Sequence, residues 1–419
     1  MNKQEIKQGI TMHSIETDKF KTNLIAVFLS TPLTKQNVTK EALLSLVLHR
    51  GSKNFRTQQE INIELEELYG ATFDYGIEKL GNNHVLKFYI ESIEDRFLPK
   101  EENNLEKSFE MISDIIFNPY VEENGFKEEY VESEKEKLKQ IILSKIDNKG
   151  TYAMSRCIEE MYPEDPYGLY KYGYVEDLDK IGAKELYEFY QELLRKCKID
   201  IFISTSKRED LKQLVMENEN IRSLNPRDPE YKVNQIEEKI KKEVQEKEEH
   251  MEVSQGKLII GMDILKCEEN TRFVSLLYNA ILGGTATSKL FQNVREKESL
   301  AYSAGSSYLK TKNNIFILCG IDIENKEKTI EIVKKQLEDM KQGNFTEEEI
   351  QNAKQGIIET IQTIPYEQDT EITYYFGQEL SNTDLDLVEY ANKIKQIDKK
   401  QIVDLANKIE INTIYFLTK

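Results

Sequence analysis

Two side chains in this 419-residue sequence, Arg295 and Tyr302, could do donor chemistry together. They stand in the stretch from Leu282 to Tyr302, LGGTATSKLFQNVREKESLAY. A guanidinium is always charged and presents a fork of N–H donors, and a neutral phenol donates one O–H near pH 7. Both can donate hydrogen bonds to an oxygen. An arginine and a tyrosine seven positions apart are no signature alone: Glu296 and Glu298 offer Arg295 an ordinary solvated ion pair, and Tyr302 could simply fill a strand position. The setting gives the pair its interest. Gly283-Gly284 breaks the backbone, Thr285, Thr287 and Ser288 each offer an N-cap, a helix is predicted over about 288–298, and Tyr302 opens the alternating run AYSAGSSY. A flexible loop, a helix and a strand thus bring both donors near one junction.

Metal chemistry finds no support in the spacing. The four histidines (His13, His49, His84, His250) and four cysteines (Cys157, Cys197, Cys267, Cys319) are dispersed, with no H-x-x-E-H and no C-x-x-C pattern. The thiols read as reduced structural residues of a cytoplasmic protein. With 75 acidic against 57 basic residues the net charge is −18, which argues against a nucleic-acid or anionic-membrane partner. The N-terminal MNKQEIKQGITMHSIETDKF has no apolar core or cleavage site, and the longest apolar runs, such as LIAVFL, fall far short of a membrane span.

The elements that must position the donors follow from periodicity. TNLIAVFLS at 22–30 reads as a central strand, followed by helices over about 39–49 and 57–69 and a hairpin, ATFDYGIEKL to HVLKFYIES, turning at Gly81-Asn82-Asn83. A charged, mostly helical stretch covers about 104–147, a helix begins near Ala183, and KIDIFISTS closes the half as a strand. Residues 216–250 read as an exposed, charged linker or edge strand. The pattern then repeats: GKLIIGMDIL matches the first strand, TRFVSLLYNAIL and SKLFQNVREKE the two helices, and AYSAGSSYLK with IFILCGIDI the hairpin, around Asn313-Asn314. A capping box at Thr346 and Glu349 and the strand TIYFLT finish the chain. The expected fold is α+β: two similar domains, 1–215 and 251–419, joined by the 216–250 linker, each a mainly antiparallel sheet with helices packed on one face.

Two such halves, the acidic linker, the GGTATSKLFQNVREKESLAYS stretch, DPYG at Asp165–Gly168 and the VSQGKLIIG opening of the second half together resemble the insulinase/pitrilysin-type zinc peptidases, which include the mitochondrial processing peptidase and paired bacterial enzymes. The resemblance covers nearly the whole chain. Catalytic members carry H-x-x-E-H on the first helix. Matching that helix through Gly51 puts Ala42 and Leu46 at the histidine positions and Ser45 at the general base, and the third ligand falls near Ile141. Alanine and leucine have no lone pair to give zinc, and neutral serine is a poor base near pH 7. His49, just beyond, reads as an ordinary helix C-terminal residue.

What the resemblance retains lies in the second half. There it implies that Arg295 and Tyr302 donate to the scissile carbonyl or its oxyanion, with the Gly283-Gly284 loop on the substrate. It implies a zinc-less subunit that binds no cofactor itself. A paralogous partner would hold the zinc, and the two chains would enclose unfolded or short peptides in an acidic-walled chamber. More narrowly, the chain resembles a Firmicutes subgroup associated with 5-aminopentanol modification of elongation factor P. A non-proteolytic scaffold, or a member that only binds peptide on a sheet edge, is the alternative.

Overall fold

The computed structural model describes residues 1–100, 102–123, 125–206, 210–234, 239–268 and 270–419. Its contacts divide the chain into two compact units, each built on its own sheet. The first unit contains β1 (Asn2–Lys7), β2 (Ile10–Glu16), β3 (Thr22–Pro32), β4 (Thr72–Leu80), β5 (Asn83–Ile93), the two-residue pair β6 (Val121–Glu122) and β7 (Gly125–Phe126), and β8 (Lys198–Thr205). Its six-stranded sheet has the order β1-β2-β8-β3-β5-β4. All neighbours are antiparallel except β2 and β8. The unbroken apolar run of β3 has its reason in this order: the strand is interior and its residues from Asn23 to Thr31 are all buried, so no face needs polar residues. The hairpin turns at Gly81, whose φ of +63° is the left-handed conformation glycine adopts without strain.

The second unit contains β9 (Gln245–His250), β10 (Gly256–Ile264), β11 (Ala301–Leu309), β12 (Asn314–Ile321) and β13 (Ile409–Thr418), in the order β11-β12-β10-β13-β9. Strand for strand this is the order β4-β5-β3-β8-β2 of the first sheet, and its one parallel pair, β13 with β9, corresponds to β8 with β2. The expected α+β class with two similar sheets is what the chain adopts. Helices Val38–Leu48, Asn104–Phe117, Glu128–Leu143 and Ala183–Lys196 join the first sheet in one apolar core. The charged helix Glu128–Leu143 contributes only Tyr130, Val131, Glu134 and Leu138 as fully buried residues. In the second unit the capping box forms as its spacing predicts: Thr346 accepts from the Glu349 N–H and Glu349 from the Thr346 N–H.

The unit boundaries differ from the two continuous blocks expected. Residues 145–168 belong to the second unit and residues 365–380 to the first. The reason is that each sheet has a second apolar face, and each is covered by a helix from the other half of the sequence. Helix Gln368–Leu380 places Ile372, Phe376 and Leu380, spaced by four on one stripe, against Leu24, Ala26, Phe28 and Phe202. Helix Lys149–Met161, which the periodicity reading passed over, places Ala153, Cys157 and Met161 with the same spacing against Ile259, Phe316 and Tyr415. Gly261 permits that approach, since a Cβ there would stand 3.0 Å from the Met161 sulfur. The expected linker contains regular structure as well. It includes the helix Glu219–Ser223 and β9, the edge-strand alternative of the charge run, while residues 235–238 lie outside the described residues.

The borrowed helix of the first unit is also held by charge. Glu379 accepts from Lys198 at 2.7 Å and from Lys3 at 2.7 Å. Lys198 in turn lies 3.0 Å from the buried Asp200, which meets His13 at 2.9 Å. Burial alone would raise the Glu379 pKa, but the hydrogen bonds and charges of Lys198 and Lys3 outweigh it and bring it down to about 2. A carboxylate whose folded pKa lies below its unfolded value stabilises the fold fully above the unfolded value, and that contribution is lost as pH falls through the folded value. The thermal midpoint of wild type should therefore exceed that of Glu379→Gln near pH 7, and the difference should close as pH falls from about 4.5 towards about 2. A difference that is flat across that window would refute the assignment.

Candidate functional site

Ala42, Ser45 and Leu46 lie on helix Val38–Leu48, and all three are buried. Ala42 and Leu46 are part of the apolar core, with Ile141 of helix Glu128–Leu143 packed partly buried against it. The Ser45 hydroxyl donates back to the Ala42 carbonyl at 2.8 Å, so its proton is spent within its own helix. His49 is the residue that ends the helix. Its Nδ1 lies 2.9 Å from the Leu46 carbonyl, its ring stacks on Tyr75, and burial lowers its pKa. Nearby, Glu134 pairs with Arg50 at 3.0 Å. The side chains at the motif positions do not fit zinc, and among the described residues no group of three or more His, Cys, Asp or Glu is arranged to hold a metal ion.

The second unit builds a different kind of site. The expected flexible glycine loop is not a break in the backbone. Helix Thr271–Asn279 continues without interruption into a π-helical turn, Ala280–Gly284. Gly283 is required there by proximity, since a Cβ would stand 2.5 Å from the Ser306 N of β11. Gly305 makes the reciprocal approach, its Cβ position 3.1 Å from the Gly283 carbonyl. Gly284 turns elsewhere, towards Asn279. The expected helix over 288–298 is π-wound from Phe291 to Lys297, and the Ser288 hydroxyl is buried without a hydrogen-bond partner, so it caps nothing. Wider winding with i→i+5 bonds recurs at functional sites because it re-aims side chains that an α-turn would stack.

This winding sets out Arg295. Its guanidinium lies over the Phe291 ring at 4.6 Å and reaches Glu296 only at 3.7 Å, beyond hydrogen-bond distance. The other flanking acid, Glu298, is drawn to Lys328 at 3.3 Å. Ser299 then closes the turn in the left-handed conformation, φ +52°, its N–H bonded to the Arg295 carbonyl at 3.1 Å and the Leu300 N–H to the Val294 carbonyl at 3.1 Å.

Tyr302 follows at a register shift. Ala301 pairs with Ile321 but Ser303 with Gly320, so Tyr302 is the extra residue of a β-bulge. A bulge directs its side chain off the regular alternation, and Tyr302 is 60% exposed, its hydroxyl donating to Asp322 at 3.3 Å. Gly283, Phe291, Arg295, Tyr302 and residues 303–306 line one open concavity of about 340 Å³. The structure thus brings Arg295, Tyr302 and Gly283 together and leaves out Gly284. Phe291 was legible as a residue four before Arg295 on a helix. Asp322 was not, because its nearness depends on the β11–β12 pairing. Chemically the concavity offers two exposed donors, one permanently cationic, beside a sheet edge, and its lining residues include no carboxylate, imidazole or thiol.

A model of the peptidase M16 inactive domain matches residues 180–357. The chain is 32% identical to the probable inactive metalloprotease YmfF of Bacillus subtilis (strain 168), over 98% of this chain and 96% of that protein. It is 28% identical to the uncharacterized zinc protease YmxG of the same organism over 106 residues, 25% of this chain and 26% of that one. The crystal structure of a conserved protein from Enterococcus faecalis V583 matches with a TM-score of 0.91 at 28% identity, covering 100% of this chain and 98% of that one. With its relatedness spanning the full chain, the protein belongs to the M16, insulinase-type peptidase family, as one of its inactive members.

Proposed function

We propose that this chain is the zinc-less subunit of a two-chain M16 metallopeptidase, lending Arg295 and Tyr302 to a zinc-bearing partner that cleaves short or unfolded peptides. One observation carries the reading: a π-wound turn, a left-handed Ser299 and a β-bulge, three departures from ideal backbone, converge to expose these two donors on one concavity. Such departures cost stability and persist where surrounding structure over-determines them. Negative charge that grows on a carbonyl oxygen is stabilised by donors already in place, and a forked cation with a phenol meets that need. The occurrence of a zinc protease relative and an inactive relative in one organism fits a paired arrangement. Because β11 is an edge strand, a second reading also has support: the chain binds extended peptide by strand addition without cleaving it.

Co-expression with a zinc-bearing M16 chain from the same genome tests both. The expected result is a stoichiometric complex of about twice the mass of one chain, zinc that leaves with the partner, and cleavage of quenched fluorescent peptides by the pair and by neither chain alone. A zinc-free monomer or homodimer that binds no partner would overturn the two-chain reading. Peptide binding without cleavage in an assembled pair would favour the second.

A further inference from the structure

The second unit holds another cleft, of about 250 Å³, lined by Met262 of β10, Leu337 of helix Lys326–Lys341, Ala406 at the end of helix Lys399–Ala406 and Ile409 at the start of β13. These four are at least nine-tenths buried, so the wall is apolar and built, not a surface groove. The β10–β13 register shifts between Gly261 and Met262, pairing Met262 with Ile411 beside the cleft. Such a bulge re-aims side chains where a strand borders a site.

Two polar features break the apolar lining. Tyr278, on helix Thr271–Asn279, is 1% exposed and lines the cleft, and no hydrogen bond holds its hydroxyl among the described residues. The second feature is a set of lysines, Lys241, Lys334 and Lys341, that line the cleft in a chain of net charge −18. Of the two acids beside them, Glu410 is paired with Lys241 at 2.9 Å and Glu338 accepts from the Gln342 amide at 2.8 Å. Lys334 and Lys341, seven apart on one helix face, have no ion-pair partner among the described residues.

We propose that this cleft binds a small amphipathic carboxylate, a medium-chain fatty acid in chemical class, whose carboxylate accepts from Tyr278 and is balanced by Lys334 and Lys341 while its chain lies on Met262, Leu337 and Ile409. An apolar chain fills the built wall, and one carboxylate meets both the phenol that lines the cleft and the lysines beside it. A neutral alcohol supplies the chain without the charge, and a volume of about 250 Å³ sits below the usual drug-sized range, which suits a single short chain.

Isothermal titration of the full chain with sodium octanoate, below its micelle concentration, tests this. Saturable binding is expected at one site, with 1-octanol binding more weakly. Lys334→Glu with Lys341→Glu should weaken octanoate about tenfold or more and leave octanol unchanged. Tyr278→Phe should weaken octanoate several-fold. If that buried variant lowers the thermal midpoint, the exposed lysine pair still decides the matter. No saturable binding to wild type, equal binding of octanol, or octanoate binding indifferent to the lysine reversals would each overturn the proposal.

Discussion

Arg295→Ala, assayed in a complex with a zinc-bearing M16 partner, should lower kcat by about 10²–10³-fold, the loss of about 2.7–4 kcal/mol that follows removal of one oxyanion donor. Complex mass and zinc content should stay at wild-type values, because Arg295 is 43% exposed and no apolar packing depends on its charge. The effect should fall on kcat more than KM, since a donor that tightens as charge develops contributes little to ground-state binding. Arg295→Lys should recover only part of the rate, the ammonium lacking the planar fork. Tyr302→Phe should fall in the same direction with a smaller loss, about tenfold or more, one neutral hydroxyl being the weaker donor. Steady-state kinetics on one peptide measures all three. An assembled, zinc-loaded pair whose kcat is indifferent to Arg295→Ala would sink the donor role and leave the peptide-binding reading standing.

The largest effect on stability is expected from Phe376→Ala, at about 3–5 kcal/mol. Phe376 is 2% exposed, stacks on Phe28 with ring centroids 4.0 Å apart and meets Phe202 edge-on at 6.2 Å. Removing the ring opens a cavity between a rigid sheet and a helix that reaches it through chain segments belonging to the second unit, so little local collapse is available to fill it. Besides a lower urea midpoint, limited proteolysis should find new cleavage on either side of helix Gln368–Leu380. A loss under about 1 kcal/mol, the range of a surface substitution, would mean that this helix does not hold the second face of the sheet.

Much of this was legible in the amino-acid order because it is local. The unbroken apolar run of β3 announces a strand buried on both faces, and Gly81-Asn82-Asn83 and Asn313-Asn314 announce hairpin turns. Thr346 with Glu349 announces a helix start. Repetition of that local grammar was enough to foretell two alike sheets. Tertiary structure alone decided what depends on partners distant in sequence. Which helix covers which sheet is one such matter: Ala153, Cys157 and Met161 or Ile372, Phe376 and Leu380 make equally good stripes for either apolar face, and chain path selects between them. The winding of the donor stretch is another. Its composition favours an ordinary α-helix after a glycine break, yet the close approach of Gly283 to Ser306 and the β11–β12 register draw it into π-turns and a bulge. Arg295 and Tyr302 were therefore identifiable by type and order, while their shared concavity exists only because backbone from three elements meets there, a packing constraint that no window of sequence contains.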